Sequence, residues 1–220
     1  MRIAIVCHPT HGGSGVIASE LALGLAERGH TTHIVSYAVP FRLHDYNPRV
    51  RIHEVEVDTY PLFKYPPYTL GLATKLAEVA SEESLDIIHA HYAVPHAVSA
   101  FLAKEILGDI APKIVTTLHG TDITLVGADA SFKRITRFAM EVSDSVTAVS
   151  KFLRNRTIEE LRNILEKRYS EILKIDFKKK ENNKNFWFIS KNKEEPRVAN
   201  RYEIDGSNLE QPLAIARDIK

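Results

Sequence analysis

Cysteine is almost missing from this chain: Cys7 is the only one, so no intramolecular disulfide can form. Long hydrophobic runs are missing too, and none approaches the roughly 20 apolar residues of a membrane-spanning helix. Charge of one sign is not in excess, with 29 Lys+Arg against 28 Asp+Glu, which gives no basis for a nucleic acid or an anionic membrane as partner. Met1-Arg2 runs directly into an apolar segment without a signal-peptide pattern. With the lone thiol, these features lead to the expectation of a soluble cytoplasmic protein. Reactive signatures are also lacking: there is no nucleophile elbow, Walker loop, zinc spacing or kinase set, and no D-x-D pair to hold a divalent metal. Neither a metal nor a cofactor is expected.

What is present is enough apolar content, 44%, for a real core, and a length of 220 residues that suits one large domain or one domain with an appendage. Nine of the ten glycines lie at or before Gly127. Residues 1–161 carry 15 Lys+Arg and 18 Asp+Glu, whereas residues 162–220 carry 14 and 10, so the charge reverses from −3 to +4. A domain over 1–161 followed by a charged, unassigned tail over 162–220 is the expected organisation. In that tail only a charged helix, Arg162–Lys174, and one strand, Phe186–Ile189, suggest themselves.

The first 161 residues alternate two patterns. Short apolar runs predict strands at Arg2–Cys7, Thr32–Tyr37, Val50–Val57, Asp86–Tyr92, Lys113–His119 and Ser145–Ser150. Between them, helical patterns cover Val16–Arg28, Tyr68–Ser84, Pro95–Leu107, Phe132–Val142 and Lys151–Leu165. The first helix puts Ile17, Leu21, Leu25 and Arg28 on one face and stops at Gly29; the second repeats Leu72, Leu76, Val79 and Ala80. Such alternation predicts an α/β fold with a doubly wound, mostly parallel, Rossmann-like sheet, in which ligands bind beyond the carboxyl ends of the strands.

The unusual residues collect at those ends. Cys7-His8-Pro9-Thr10-His11-Gly12-Gly13-Ser14-Gly15 joins the first strand to the first helix. Unpaired N–H groups at the positive end of a helix dipole attract anions, and glycine lets a ligand approach closely; the same residues also suit a plain tight turn. The glycines do not have the G-x-G-x-x-G spacing of dinucleotide sites. His119-Gly120-Thr121-Asp122 follows the fifth strand, where the His can donate to a sugar hydroxyl and the Asp can cap, orient the His or hold substrate. In His89-Ala90-His91-Tyr92 the two imidazoles share a face; packing or a hydroxyl contact is favoured over a metal pair, and Tyr92 has a phenol to offer a ligand. Tyr60–Tyr68 reads as a pocket wall or a cover for the sheet, and Arg42 as a surface ion pair or a carboxylate partner.

Taken together, His11-Gly12-Gly13-Ser14-Gly15-Val16, Glu27-Arg28-Gly29-His30, Pro40-Phe41-Arg42-Leu43, Tyr65-Pro66-Pro67-Tyr68, His89-Ala90-His91-Tyr92-Ala93-Val94-Pro95-His96, Thr116-Thr117-Leu118-His119-Gly120-Thr121-Asp122 and Thr147-Ala148-Val149-Ser150 resemble the N-terminal half of the retaining GT-B glycosyltransferases of family 4. The branch resembled is the one that joins N-acetylglucosamine from UDP-N-acetylglucosamine to L-malate in bacillithiol synthesis. The resemblance covers roughly residues 1–160. It implies an acceptor domain in which Gly13, Ser14 and Gly15 form the anion loop and Ser14, Tyr92 and Thr116 contact malate. It also implies that His119 touches the transferred sugar and Asp122 supports it, with positioning and electrostatics supplying most of the rate. The donor sugar would need a second domain of comparable size, which residues 162–220 are too short to form; a donor-domain chain or a homo-oligomer are the partners this implies. The contrasting expectation is a non-catalytic anion-binding module, truncated or fused. A nucleotide-binding Rossmann enzyme of other chemistry fits the glycine spacing poorly.

Overall fold

The computed structural model describes residues 1–57 and 61–159. Six parallel strands form one sheet: β1 (Arg2–Val6), β2 (Thr31–Ser36), β3 (Val50–Glu54), β4 (Ile87–His91), β5 (Lys113–Leu118) and β6 (Ser145–Ala148), in the order β3-β2-β1-β4-β5-β6. Every predicted strand is present, each ending one to three residues earlier than its apolar run. The chain beyond each end turns into a loop at the sheet's carboxyl edge. The helices are α1 (Gly13–Glu27), α2 (Tyr68–Glu83), α3 (Val98–Leu107), α4 (Thr121–Thr124) and α5 (Ala130–Val142), and residues 151–159 are also helical. The predicted Arg162–Lys174 helix, the Phe186–Ile189 strand, the end of the Lys151–Leu165 helix and Tyr60 lie outside the described residues.

Strand alternation decides what each helix covers. Ala4, Val6, Val35, Ile88 and Ile114 face α2 and α3, while Ile3, Ile5, Ile34, Ile87 and Val115 pack against α1. Ala90, Leu118 and Val146 share a third cluster with Ala139 and Met140 of α5. In α2 all four expected apolar positions are buried. In α1 the buried stripe is Ala18, Leu21, Ala22 and Leu25; Ile17 is only half-buried and Arg28 is exposed, because small alanines let α1 lie close to the sheet. The stop at Gly29 is as predicted. Gly29 adopts φ +87°, its N–H donates to Ala26 O, and the His30 N–H donates to Leu25 O, which closes the helix with a glycine-dependent cap.

The connection leaving β1 crosses to β2 on one side, and β4 enters beside β1 on the other. This reversal in strand order opens a crevice at the carboxyl ends of β1 and β4.

Candidate active site

On the β1 side of the crevice, α1 begins without a side-chain cap. Gly12 is its N-cap, and the N–H groups of Gly15 and Val16 donate to Gly12 O at 3.1 and 3.2 Å. The amides of Gly13 and Ser14 have no hydrogen-bond partner among the described residues, and no acidic residue occupies the first turn. Those are the conditions for an anion at a helix start. Gly13 is exposed, and a Cβ there would meet nothing within 4 Å. Ser14 is buried, and its hydroxyl makes no hydrogen bond within the described chain. Gly15 is packed against its own loop. A Cβ at Gly15 would lie 2.5 Å from Thr10 O and 2.6 Å from His8 O, so the missing side chain admits the backbone that leads into the helix. His11 stacks on Phe41 with ring centres 4.3 Å apart, and Arg42 Nε lies 3.9 Å from Glu20 on the surface.

On the other side, the ends of β4 and β5 hold side chains in place. Tyr92 has φ +99°, a left-handed backbone rare for an aromatic residue, held by its N–H donating to Thr117 O and its carbonyl accepting from the Ala97 N–H. Its ring stacks on His119 at 5.2 Å, and its phenol oxygen accepts from the Thr121 hydroxyl at 3.0 Å. Gly120 takes φ +113°, and the short α4 begins at Thr121. The buried Asp122 carboxylate accepts from the backbone N–H groups of His119, at 3.1 Å, and Gly120, at 2.9 Å. Burial pushes its pKa up, and these hydrogen bonds oppose the rise. Asp122 therefore holds the loop that carries His119 rather than touching the imidazole.

Behind Tyr92 and His119 lies a set of histidines. His91 Nδ1 is 2.9 Å from His119 Nε2, His89 Nε2 is 2.7 Å from the Thr117 hydroxyl, and His96 Nδ1 donates to the His91 carbonyl. The His89 contact is a hydroxyl interaction, one of the two alternatives that the sequence favoured. His8, just past β1, brings its ring to 4.4 Å from His96 and 5.5 Å from Tyr92, joining the two sides of the crevice. Burial pushes His119 down to about 4 and His89 and His96 to about 3, so these imidazoles are neutral at pH 7.

The loops carrying Ser14, Tyr92 and His119 thus share one edge, with only β4 between β1 and β5. Thr116 does not join them. It lies on the same strand face as Ile114 and Leu118, fully buried toward α5, with its hydroxyl 2.8 Å from that of Ser143. Strand alternation sends this side chain, to which the resemblance assigns a malate contact, to the face opposite α1. His8, His91, His96 and Thr121 were not singled out as site residues. The signal for His8 and His96 was their place inside the two strand-end motifs; the pairing of His91 with His119, 28 positions apart, had no local signal.

Residues 11–167 match the family model for Glycosyltransferase Family 4. The chain belongs to this family. Within family 4, it is 54% identical over 159 residues to the N-acetyl-alpha-D-glucosaminyl L-malate synthase of Bacillus anthracis, a match that covers 72% of this chain and 42% of that protein. Among solved structures, a glycosyltransferase from Rickettsia africae is 25% identical and superposes with a TM-score of 0.52, covering 72% of this chain and 39% of its own. An Anabaena protein crystallised with UDP and glucose shares the fold, with a TM-score of 0.50 at 16% identity over 73% of this chain and 41% of its own. The chain therefore spans about two-fifths of the length of these relatives. No helix among the described residues is long and apolar enough to cross a membrane.

Proposed function

We propose that residues 1–161 form the acceptor domain of a retaining glycosyltransferase that moves N-acetylglucosamine from UDP-N-acetylglucosamine to L-malate. The observation that carries this reading is the 54% identity to an enzyme of that name over 159 residues, 72% of this chain. A malate carboxylate sits at the Gly13 and Ser14 amides, where the helix dipole and two unpaired N–H groups favour negative charge, and the Ser14 hydroxyl adds a donor. Tyr92 borders the same space. His119 faces the transferred sugar, and Asp122 acts through the backbone that presents it. Transfer then depends on holding both substrates in register, because these side chains supply donors aimed at oxygen and no nucleophile. The donor nucleotide binds a second domain, in the same polypeptide or in a partner chain, that closes over this edge. A cytoplasmic place suits the single buried thiol.

Calorimetric titration of the 220-residue chain with L-malate tests the acceptor site. Binding at millimolar concentration or below is expected, weaker for succinate, which lacks the hydroxyl. No binding at millimolar malate overturns the reading and leaves the glycine loop as a structural turn. Malate binding without UDP release from UDP-N-acetylglucosamine is the result expected when no donor domain is supplied.

A further inference from the structure

Two buried nitrogens beside the site have no partner, His91 Nε2 and His96 Nε2. For His96 the proton's position is forced: Nδ1 faces the His91 carbonyl, which only accepts, so Nε2 is a bare lone pair. His91 is the more consequential. It is fully buried, its Nδ1 faces His119 Nε2 at 2.9 Å, and burial keeps both rings neutral. Of two facing neutral imidazoles, one must donate and the other accept. Were His119 Nε2 the donor, the proton of His91 would sit on Nε2, a buried N–H with no acceptor. With His91 Nδ1 as donor, every N–H of the pair has an outlet. His91 donates to His119, and His119 Nδ1, which has no protein partner and is not enclosed, points its proton to the open edge. Only a lone pair is left alone, and orphaned buried N–H groups are the rarer kind.

We propose that His91 is a positioning residue that fixes His119 as the Nδ1–H tautomer, so that His119 offers a hydrogen-bond donor to an oxygen of the bound sugar. The inference rests on the reading that His119 faces that sugar. Three restraints then act on one ring: the Asp122 carboxylate holds its backbone, Tyr92 stacks on its face, and His91 claims its Nε2. A donor fixed in this way stabilises charge on oxygen without rearranging during the reaction, whereas the opposite tautomer would present a lone pair to a lone pair.

The test is long-range proton–nitrogen NMR of the 220-residue chain labelled with 15N-histidine, at neutral pH. A protonated Nδ1 and a bare Nε2 are expected for His119. His91→Asn, whose amide nitrogen takes the place of Nδ1 as a donor, should keep that pattern. His91→Gln, whose amide reaches the Nε2 position instead, and His91→Phe remove the donor facing His119 Nε2, so the 15N resonance of that bare nitrogen should move toward the value of an unbonded lone pair. Wild-type His119 carrying its proton on Nε2 overturns the proposal, and so does a His119 Nε2 resonance unchanged in His91→Gln. His91→Phe corroborates, and its failure to fold leaves the decision with Gln and Asn. No substrate enters these spectra, so a wrong tautomer shows here and a wrong acceptor shows in the malate titration.

Discussion

At the end of β1 the chain offers backbone amides on an uncapped, partly exposed turn, whereas at the ends of β4 and β5 it offers imidazoles and a phenol locked by buried partners. The first side needs no particular side chain at Gly13, only a helix start left vacant. The second depends on His119, Tyr92 and Asp122 being held by one another and by His91. An anion with a full negative charge is recognised well by a dipole and two N–H groups, which tolerate some freedom. A sugar oxygen carries little charge, so its donor must be aimed in advance, and aiming requires burial and a second layer of hydrogen bonds. The two sides should therefore respond differently to acid and to substitution.

The largest difference is expected with pH. His89 and His96 are pushed down to about 3 by burial, while imidazoles in the unfolded chain titrate near 6.5. Between those values the unfolded chain binds protons that the folded chain refuses, so stability is complete above 6.5 and is lost as pH falls. Each histidine contributes up to about 1.4 kcal/mol per pH unit, so these two alone should remove about 3 kcal/mol between pH 6.5 and 5. Urea denaturation at pH 7.5 and pH 5 measures this. Equal stability at both would mean that the buried side is not held neutral.

Next in size is Gly15→Ala. The new Cβ would press on the carbonyl oxygens of His8 and Thr10 at 2.5–2.6 Å, so the loop must move, at a cost of about 2 kcal/mol. Denaturation midpoints should fall and malate binding should weaken together. Unchanged stability would show that the loop yields freely.

A smaller effect is expected for Ser14→Ala, which removes a hydroxyl with no protein partner. Folding should hardly change, while malate affinity should drop roughly tenfold, the equivalent of about 1.5 kcal/mol for a hydrogen bond to a charged group. Equal malate affinities of variant and wild type by calorimetry would remove Ser14 from the acceptor site. The smallest change is expected for Gly13→Ala. With open space around its Cβ it should stabilise the chain by less than about 1 kcal/mol, by restricting the unfolded state. A destabilisation as large as that of Gly15→Ala would erase the distinction between the two glycines.

By itself the sequence determined the succession along the chain of six strands and the helices between them, the stop at Gly29, and the placing of three motifs at strand ends. These are local properties: apolar runs, helical spacing and glycine's access to positive φ are written within a few residues. It did not reveal α4, because four residues cannot show a helical period. Only the tertiary structure decided which way the strand-end residues face. Thr116 and Thr117 are neighbours of one type, yet one turns to Ser143 beneath α5 and the other to His89. Alternation predicts that they part, but strand order and helix placement decide which of the two faces looks toward α1. Likewise only the fold shows that the Thr10 carbonyl returns over Gly15. The His91–His119 pair exists because β4 and β5 are adjacent in the sheet, and that adjacency comes from packing helices on both faces, a constraint no short window of sequence contains.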